Sequence, residues 1–163
     1  FISESDALTG CMNRRGFIEK TLQMNRDHEG EELLILFADL DHLKEINDSF
    51  GHIEGDFSIR HCAEVLKKVV GADGIVGRIG GDEFCVVTLG NLKDGQQIIE
   101  RIREESDAFN CTSDKEYYVE LSAGCTSVIC RNGLVIADAL READRALYEV
   151  KKLRRNSVKK IRL

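Results

Sequence analysis

Apolar positions along the chain follow two rhythms. Ile59, Cys62, Ala63, Leu66, Val69 and Val70 fit one face of a 3.6-residue period and predict a helix, which Gly71 and Gly74 then break. Ile136, Ala139, Leu140, Ala143, Ala146, Leu147 and Val150 form the cleanest helical stripe. Weaker helical patterns run through Phe17, Ile18, Thr21, Leu22 and Asn25, through Leu43–Phe50, and through Ile98, Ile99, Ile102 and Phe109. The second rhythm is that of strands. Leu33–Ala38 is a short unbroken apolar run, as in a strand buried on both faces, while Val119, Leu121, Ala123 and Cys125 alternate. Ile75–Ile79 and Glu83–Leu89 are β-prone and joined through Gly80-Gly81, a hairpin signal. The predicted order is α-β-α-α-β-β-α-β-α. The expected fold class is α/β, an α+β sandwich whose mostly antiparallel sheet of about five strands is flanked by helices.

Composition narrows this picture. The 163 residues suit one domain spanning 1–163, and 42% apolar with 32% charged residues is the balance of a folded soluble chain. No apolar run approaches the roughly 18–20 residues that cross a bilayer, so no membrane contact by this domain is expected. The chain begins at Phe1 and shows no leader peptide, which suggests a piece of a longer protein. The net charge of −6 is uneven: Lys151, Lys152, Arg154, Arg155, Lys159, Lys160 and Arg162 crowd a stretch without acids, and all 29 acidic residues lie before it. An acidic body argues against nucleic-acid binding. The basic stretch fits a solvated helix end, a complement to the helix dipole or a phosphate clamp. Six cysteines without a CxxC pair or zinc-type spacing point to a reducing, cytoplasmic compartment, with Cys62, Cys85 and Cys125 as core residues.

Two segments carry candidate chemistry. In the first, a buried strand ends at Ala38 and runs at once into Asp39, Asp41 and a helix start. Carboxylates at a strand exit, beside free helix N–H groups, suit a hard cation and a phosphate. Asp41 alone reads as a helix cap, but capping accounts for one acid and not two. In the second, Gly80-Gly81-Asp82-Glu83, the glycines permit a tight turn with positive φ and let a ligand approach the backbone. Two adjacent acids at its tip repel each other, and a metal relieves that. The turn by itself is an ordinary exposed hairpin; its meaning comes from pairing with Asp39. Gly74–Gly81 lacks the Gly-Lys-Ser/Thr ending of a P-loop, which excludes a Walker nucleotidase.

These segments occur in order with Asp6-Ala7-Leu8-Thr9-Gly10-Cys11-Met12-Asn13-Arg14-Arg15, Phe50-Gly51-His52, Gly55-Asp56, Ser122-Ala123-Gly124 and Ala143-Asp144-Arg145-Ala146-Leu147-Tyr148. Together they make the chain resemble a GGDEF domain, the catalytic module of bacterial diguanylate cyclases. The resemblance implies that Asp39, Asp82 and Glu83 are catalytic. It implies Mg²⁺, with Mn²⁺ as substitute, on Asp39, the Leu40 carbonyl, Asp82 and Glu83. GTP is the implied substrate: Asn47 and Asp56 read guanine, Lys44, Lys151 and Arg155 hold the triphosphate, and Gly80 and Gly81 line the approach. The motif Asp6–Arg15 is implied to be mainly a structural turn ahead of the first helix, so Asp6, Asn13 and Arg14 receive no catalytic role; 1–12 is the entry turn and 157–163 a tail. The implied reaction condenses two GTP into cyclic di-GMP in a homodimer, with an upstream sensory or dimerisation segment in the parent chain. Polymerase palms and nucleotide cyclases share this architecture as an analogy of fold alone.

The chain departs from the family's pattern at Leu43, usually Phe, at Cys11, usually Leu, and at Arg154, which replaces a glycine and lengthens the last helix. An Arg-x-x-Asp product-inhibition site is expected to be absent, because Gly71-Ala72-Asp73-Gly74 stands in its place. The alternative reading is a catalytically silent, GTP-binding regulatory module. A third reading, adenine in one site, is opposed by Asp56.

Overall fold

The computed structural model describes the backbone of residues 3–161 and the side chains of residues 3–153. Its elements are α1 (Arg14–Asp27), β1 (Glu32–Leu40), α2 (Leu43–Phe50), α3 (His52–Val70), β2 (Ile75–Arg78), β3 (Glu83–Leu89), α4 (Leu92–Thr112), β4 (Leu121–Ile129) and α5 (Ile136–Ile161). Their order is the one the apolar rhythms predict. The strand number is lower than expected: among the described residues there are four strands, not about five, in the order β2-β3-β1-β4. All neighbours pair antiparallel. Met12 adds only an isolated bridge to Gly77 beside the β2 edge. Val119, expected within a strand, is buried just ahead of β4, and its backbone is held by the Asn110 side chain at 3.0 Å in each direction.

Helices cover both faces of the sheet, which is why β1 reads as an unbroken apolar run. Leu36, Ala38 and Leu40 pack with Phe84, Val86, Leu121 and Ala123 under α3 and α4. The alternate residues Leu33, Ile35 and Phe37 pack with Cys85, Val87 and Phe17 under α1 and α5. Leu33 and Leu36 are fully buried, and burial of that kind stabilises by roughly 1.5–3 kcal/mol per side chain. α5 lies so close to β4 that a Cβ on Gly124 would come within 2.2 Å of the Leu147 amide nitrogen. Of the cysteines expected in the core, Cys62 and Cys85 are buried and Cys125 half-buried; Cys11 and Cys130 join the core too.

Local signals set the ends of these elements. The Asn13 side chain accepts from the Gly16 amide at 2.9 Å and caps α1. Asn91 and Asp94 form a reciprocal capping box on α4. Gly51, at φ 92°, closes α2 and opens α3, turning the two helices against each other. No helix among the described residues is long and apolar enough to cross a membrane.

Candidate active site

Register brings the two candidate segments together. Asp39 of β1 lies opposite Glu83 of β3 and, on its other side, opposite Ser122 of β4. Directly opposed residues of an antiparallel pair share a face, so Glu83, Asp39 and Ser122 form a row across three strands at one end of the sheet. Asp82 joins them through the backbone, its carbonyl accepting from the Leu40 amide at 2.9 Å.

The signature turn is built differently from expectation. Neither Gly80 nor Gly81 takes up positive φ, so left-handed geometry is not what requires glycine here. Close approach is. A Cβ on Gly80 would lie 2.6 Å from Glu83 Oε1, while Gly81 faces open space with nothing within 4 Å of such an atom. The Ile79 and Gly80 amides both donate to the Glu83 carbonyl, at 2.8 and 3.3 Å, and close the turn. Arg78 braces it: Nη2 and Nε donate to the Gly81 carbonyl at 2.8 and 3.2 Å, and Nη1 reaches both oxygens of Asp6 at 3.3 Å. The structural role expected for Asp6 thus includes a tie to the turn.

Asp39 is half-buried, and Lys151 of α5 donates to its Oδ2. Its Oδ1 is buried with no hydrogen-bond partner. Burial raises the Asp39 pKa above its ordinary value of 3.8; Lys151 opposes this, and the charges of Asp41 and Asp82 add to the rise. The Glu83 carboxyl is also raised, by burial first and then by Asp82, Asp144 and Asp39. These are carboxylates under mutual repulsion, one with an orphaned buried oxygen. No three His, Cys, Asp or Glu side chains converge as a metal cage among the described residues. The set therefore fits a hard cation such as Mg²⁺, which takes one or two carboxylates and brings further oxygens with its substrate.

Asp41 is not the helix cap. His42 occupies that position in the left-handed conformation, at φ 60° and ψ 30°, with no side-chain cap bond. The Asp41 carboxylate instead accepts from Ser122 Oγ, at 2.9 and 2.8 Å to its two oxygens.

The two residues expected to read the base lie on either side of the α2–α3 junction. The Asn47 side chain lies over Gly55, so close that a Cβ there would sit 1.8 Å from Asn47 Oδ1, and Asp56 follows on the exposed surface. Lys44 is exposed on α2. Arg155 lies in helical backbone, but its side chain is outside the described residues, and the expected tail from 157 falls on the end of α5. A cavity of about 310 Å³ lies beside α2 as well, lined by Asp41, Ile46, Phe50, Tyr117 and Glu120 among others, but by neither Lys44 nor Asn47.

Four contributors escape sequence reasoning as functional residues: Gly55, Arg78, Ser122 and Asp144. Gly55, Ser122 and Asp144 each stand inside a motif that carries the family resemblance, without a role attached. Gly55 left a further signal, as a glycine inside a helical stretch, where propensity disfavours it.

Residues 3–157 match the family profile described as "Diguanylate cyclase, GGDEF domain". The Escherichia coli K12 diguanylate cyclase DgcP is 38% identical over 92% of this chain, which spans 45% of that relative's length. A Pseudomonas aeruginosa protein named cyclic di-GMP phosphodiesterase NbdA is 32% identical over 93% of this chain, which spans 20% of it. Among solved structures, the GGDEF domain of DgcB from Caulobacter crescentus, in complex with c-di-GMP, superposes with a TM-score of 0.82 at 26% identity. That match covers 93% of this chain and 92% of the other. The profile match, the relatives and the sheet-end row of acids agree: the chain belongs to the GGDEF family of diguanylate cyclase domains.

Proposed function

We propose that the domain condenses two molecules of GTP into cyclic di-GMP with release of two pyrophosphates. The observation that carries this reading is the strand-end row in which Asp39 and Glu83 lie side by side, Asp82 adjoining, with Lys151 reaching across from α5. In each half-reaction a 3′-hydroxyl oxygen bonds to the α-phosphorus of the other nucleotide. The bond from that phosphorus to the pyrophosphate oxygen breaks, and the hydroxyl proton is lost.

The chain's own residues divide the work. Asn47 and Asp56 hold guanine by its N1–H and N2–H₂ edge, the carboxylate accepting and the amide both donating and accepting. Lys44 and Lys151 take the phosphates, Lys151 releasing Asp39 as it does so, and Arg155 adds a further cation. Gly81 leaves room for the nucleotide to come against the turn backbone. Glu83, whose pKa is raised by burial and by the charges of Asp82, Asp144 and Asp39, accepts the 3′-hydroxyl proton. Asp39, the Leu40 carbonyl, Asp82 and Glu83 are the groups that would hold Mg²⁺, or Mn²⁺ in its place; when bound, the cation would neutralise phosphate charge and lower the hydroxyl pKa.

These groups serve one nucleotide, so two domains meet face to face as a C₂ homodimer. Incubation of the purified domain at high concentration with GTP and Mg²⁺ is expected to yield cyclic di-GMP and pyrophosphate in a 1:2 ratio. GTP binding without product rejects the cyclase reading. It would favour a silent GTP-binding regulator, a reading motivated by the NbdA match, in which the same module sits in a protein named for the opposite reaction.

A further inference from the structure

The sheet-end row contains one residue to which the proposed chemistry gives no task. Ser122 lies opposite Asp39, is 2% exposed, and directs its hydroxyl to a carboxylate 81 residues away in sequence. A buried hydroxyl needs a partner. This one is matched to Asp41, the residue at which β1 has ended and α2 has not yet begun. The Asp41 amide also donates to the Glu120 carbonyl at 2.9 Å, so β4 grips Asp41 by backbone and side chain together. One residue earlier, Leu40 donates to Asp82 of the signature turn. One residue later, His42 takes a left-handed conformation that is uncommon for a non-glycine residue and persists only where its surroundings enforce it. The short exit from Asp39 to His42 is thus held between the signature turn and β4, and it starts the helix carrying Lys44 and Asn47.

We propose that Ser122 is a positioning residue for the reaction: by holding Asp41 it fixes the strand exit that presents Asp39 and the Leu40 carbonyl to the divalent cation. The inference rests on the proposed metal-dependent cyclase reading. Ser122 touches neither substrate nor metal in this scheme, and acts through its hydrogen bond to Asp41. Hydrogen bonds that orient metal-binding groups from one shell out are commonly worth about 10–100-fold in metal affinity or activity.

The test compares wild type with Ser122→Ala and Ser122→Thr, using Mn²⁺ binding followed by electron paramagnetic resonance alongside steady-state kinetics. Ser122→Ala is expected to weaken Mn²⁺ binding about tenfold and to lower kcat about tenfold. Its KM for GTP at saturating cation should stay within about twofold of wild type. Ser122→Thr, which keeps the hydroxyl, is expected to recover both quantities. Wild-type Mn²⁺ affinity and kcat in a folded Ser122→Ala overturn the proposal. So does an equal deficit in both variants accompanied by an equal fall in melting temperature, which marks a packing defect. If wild type binds Mn²⁺ but makes no cyclic di-GMP, the cyclase reading fails while the binding comparison still decides the role of Ser122. Wild type without Mn²⁺ binding overturns both.

Discussion

Gly55 sits inside α3, where glycine costs about 1 kcal/mol relative to alanine, and the space it leaves is filled by the Asn47 amide. Gly55→Ala should therefore separate binding from stability. The added methyl favours the helix but displaces the far end of a flexible side chain. The KM for GTP is expected to rise about tenfold while the melting temperature holds or climbs, as steady-state kinetics and calorimetry would show. Glu83 gives the complementary case. Its folded pKa lies above the ordinary 4.5, so the folded state binds its proton more tightly than the unfolded chain does. The associated stability is present in acid and is lost as pH rises from 4.5 through the folded pKa. Glu83→Gln removes that loss. At pH 7 without metal it is expected to melt above wild type, the gap closing in acid, and to make no product. A lower melting temperature at pH 7 would contradict the electrostatic account.

Between α5 and β4 there is no room for a side chain at Gly124, because the obstruction is helix backbone and not a movable tip. Gly124→Ala is expected to cost several kcal/mol in urea denaturation, with a loss of activity that follows unfolding. The order of elements was legible in the sequence because helix and strand periods are local, and so was the pairing of the Asp39 segment with the signature turn once the motifs were seen together. The contacts that finish the site were not. Lys151 meets Asp39 across 112 residues and Ser122 meets Asp41 across 81, and no periodicity encodes either. The glycines of the signature turn misled for a related reason. Their identity announces a tight place, but only coordinates distinguish a need for positive φ from a need for space. The Arg78 brace belongs at this scale too. Asp6 has a pKa below 3.8: burial opposes the shift, but hydrogen bonds from the Thr9 hydroxyl and amide and the Arg78 charge outweigh it. The stability this contributes is present above pH 3.8 and is lost as pH falls through the lower folded value, so Asp6→Asn should destabilise at neutral pH and converge with wild type in strong acid.

For the molecule as a whole, the proposed half-site chemistry would make activity a property of encounters. Specific activity is expected to rise with protein concentration and level off as dimers saturate, in a product assay over a hundredfold dilution series. A flat profile would mean either a tight dimer, which sedimentation would reveal, or a complete site in one chain. The ion pair between Lys151 and Asp39 has one more consequence. Before any ligand arrives, the deepest carboxylate already carries a cation of its own, tethered to α5. Under the proposed reading, loading the centre would be an ion exchange, in which Asp39 gives up the tethered ammonium of Lys151 for a divalent cation and Lys151 becomes available to the incoming phosphates. Such a swap conserves most of the local charge balance. Its ionic-strength dependence should be shallower than the number of acids around Asp39 suggests, and replacing Lys151 with a neutral residue should steepen it.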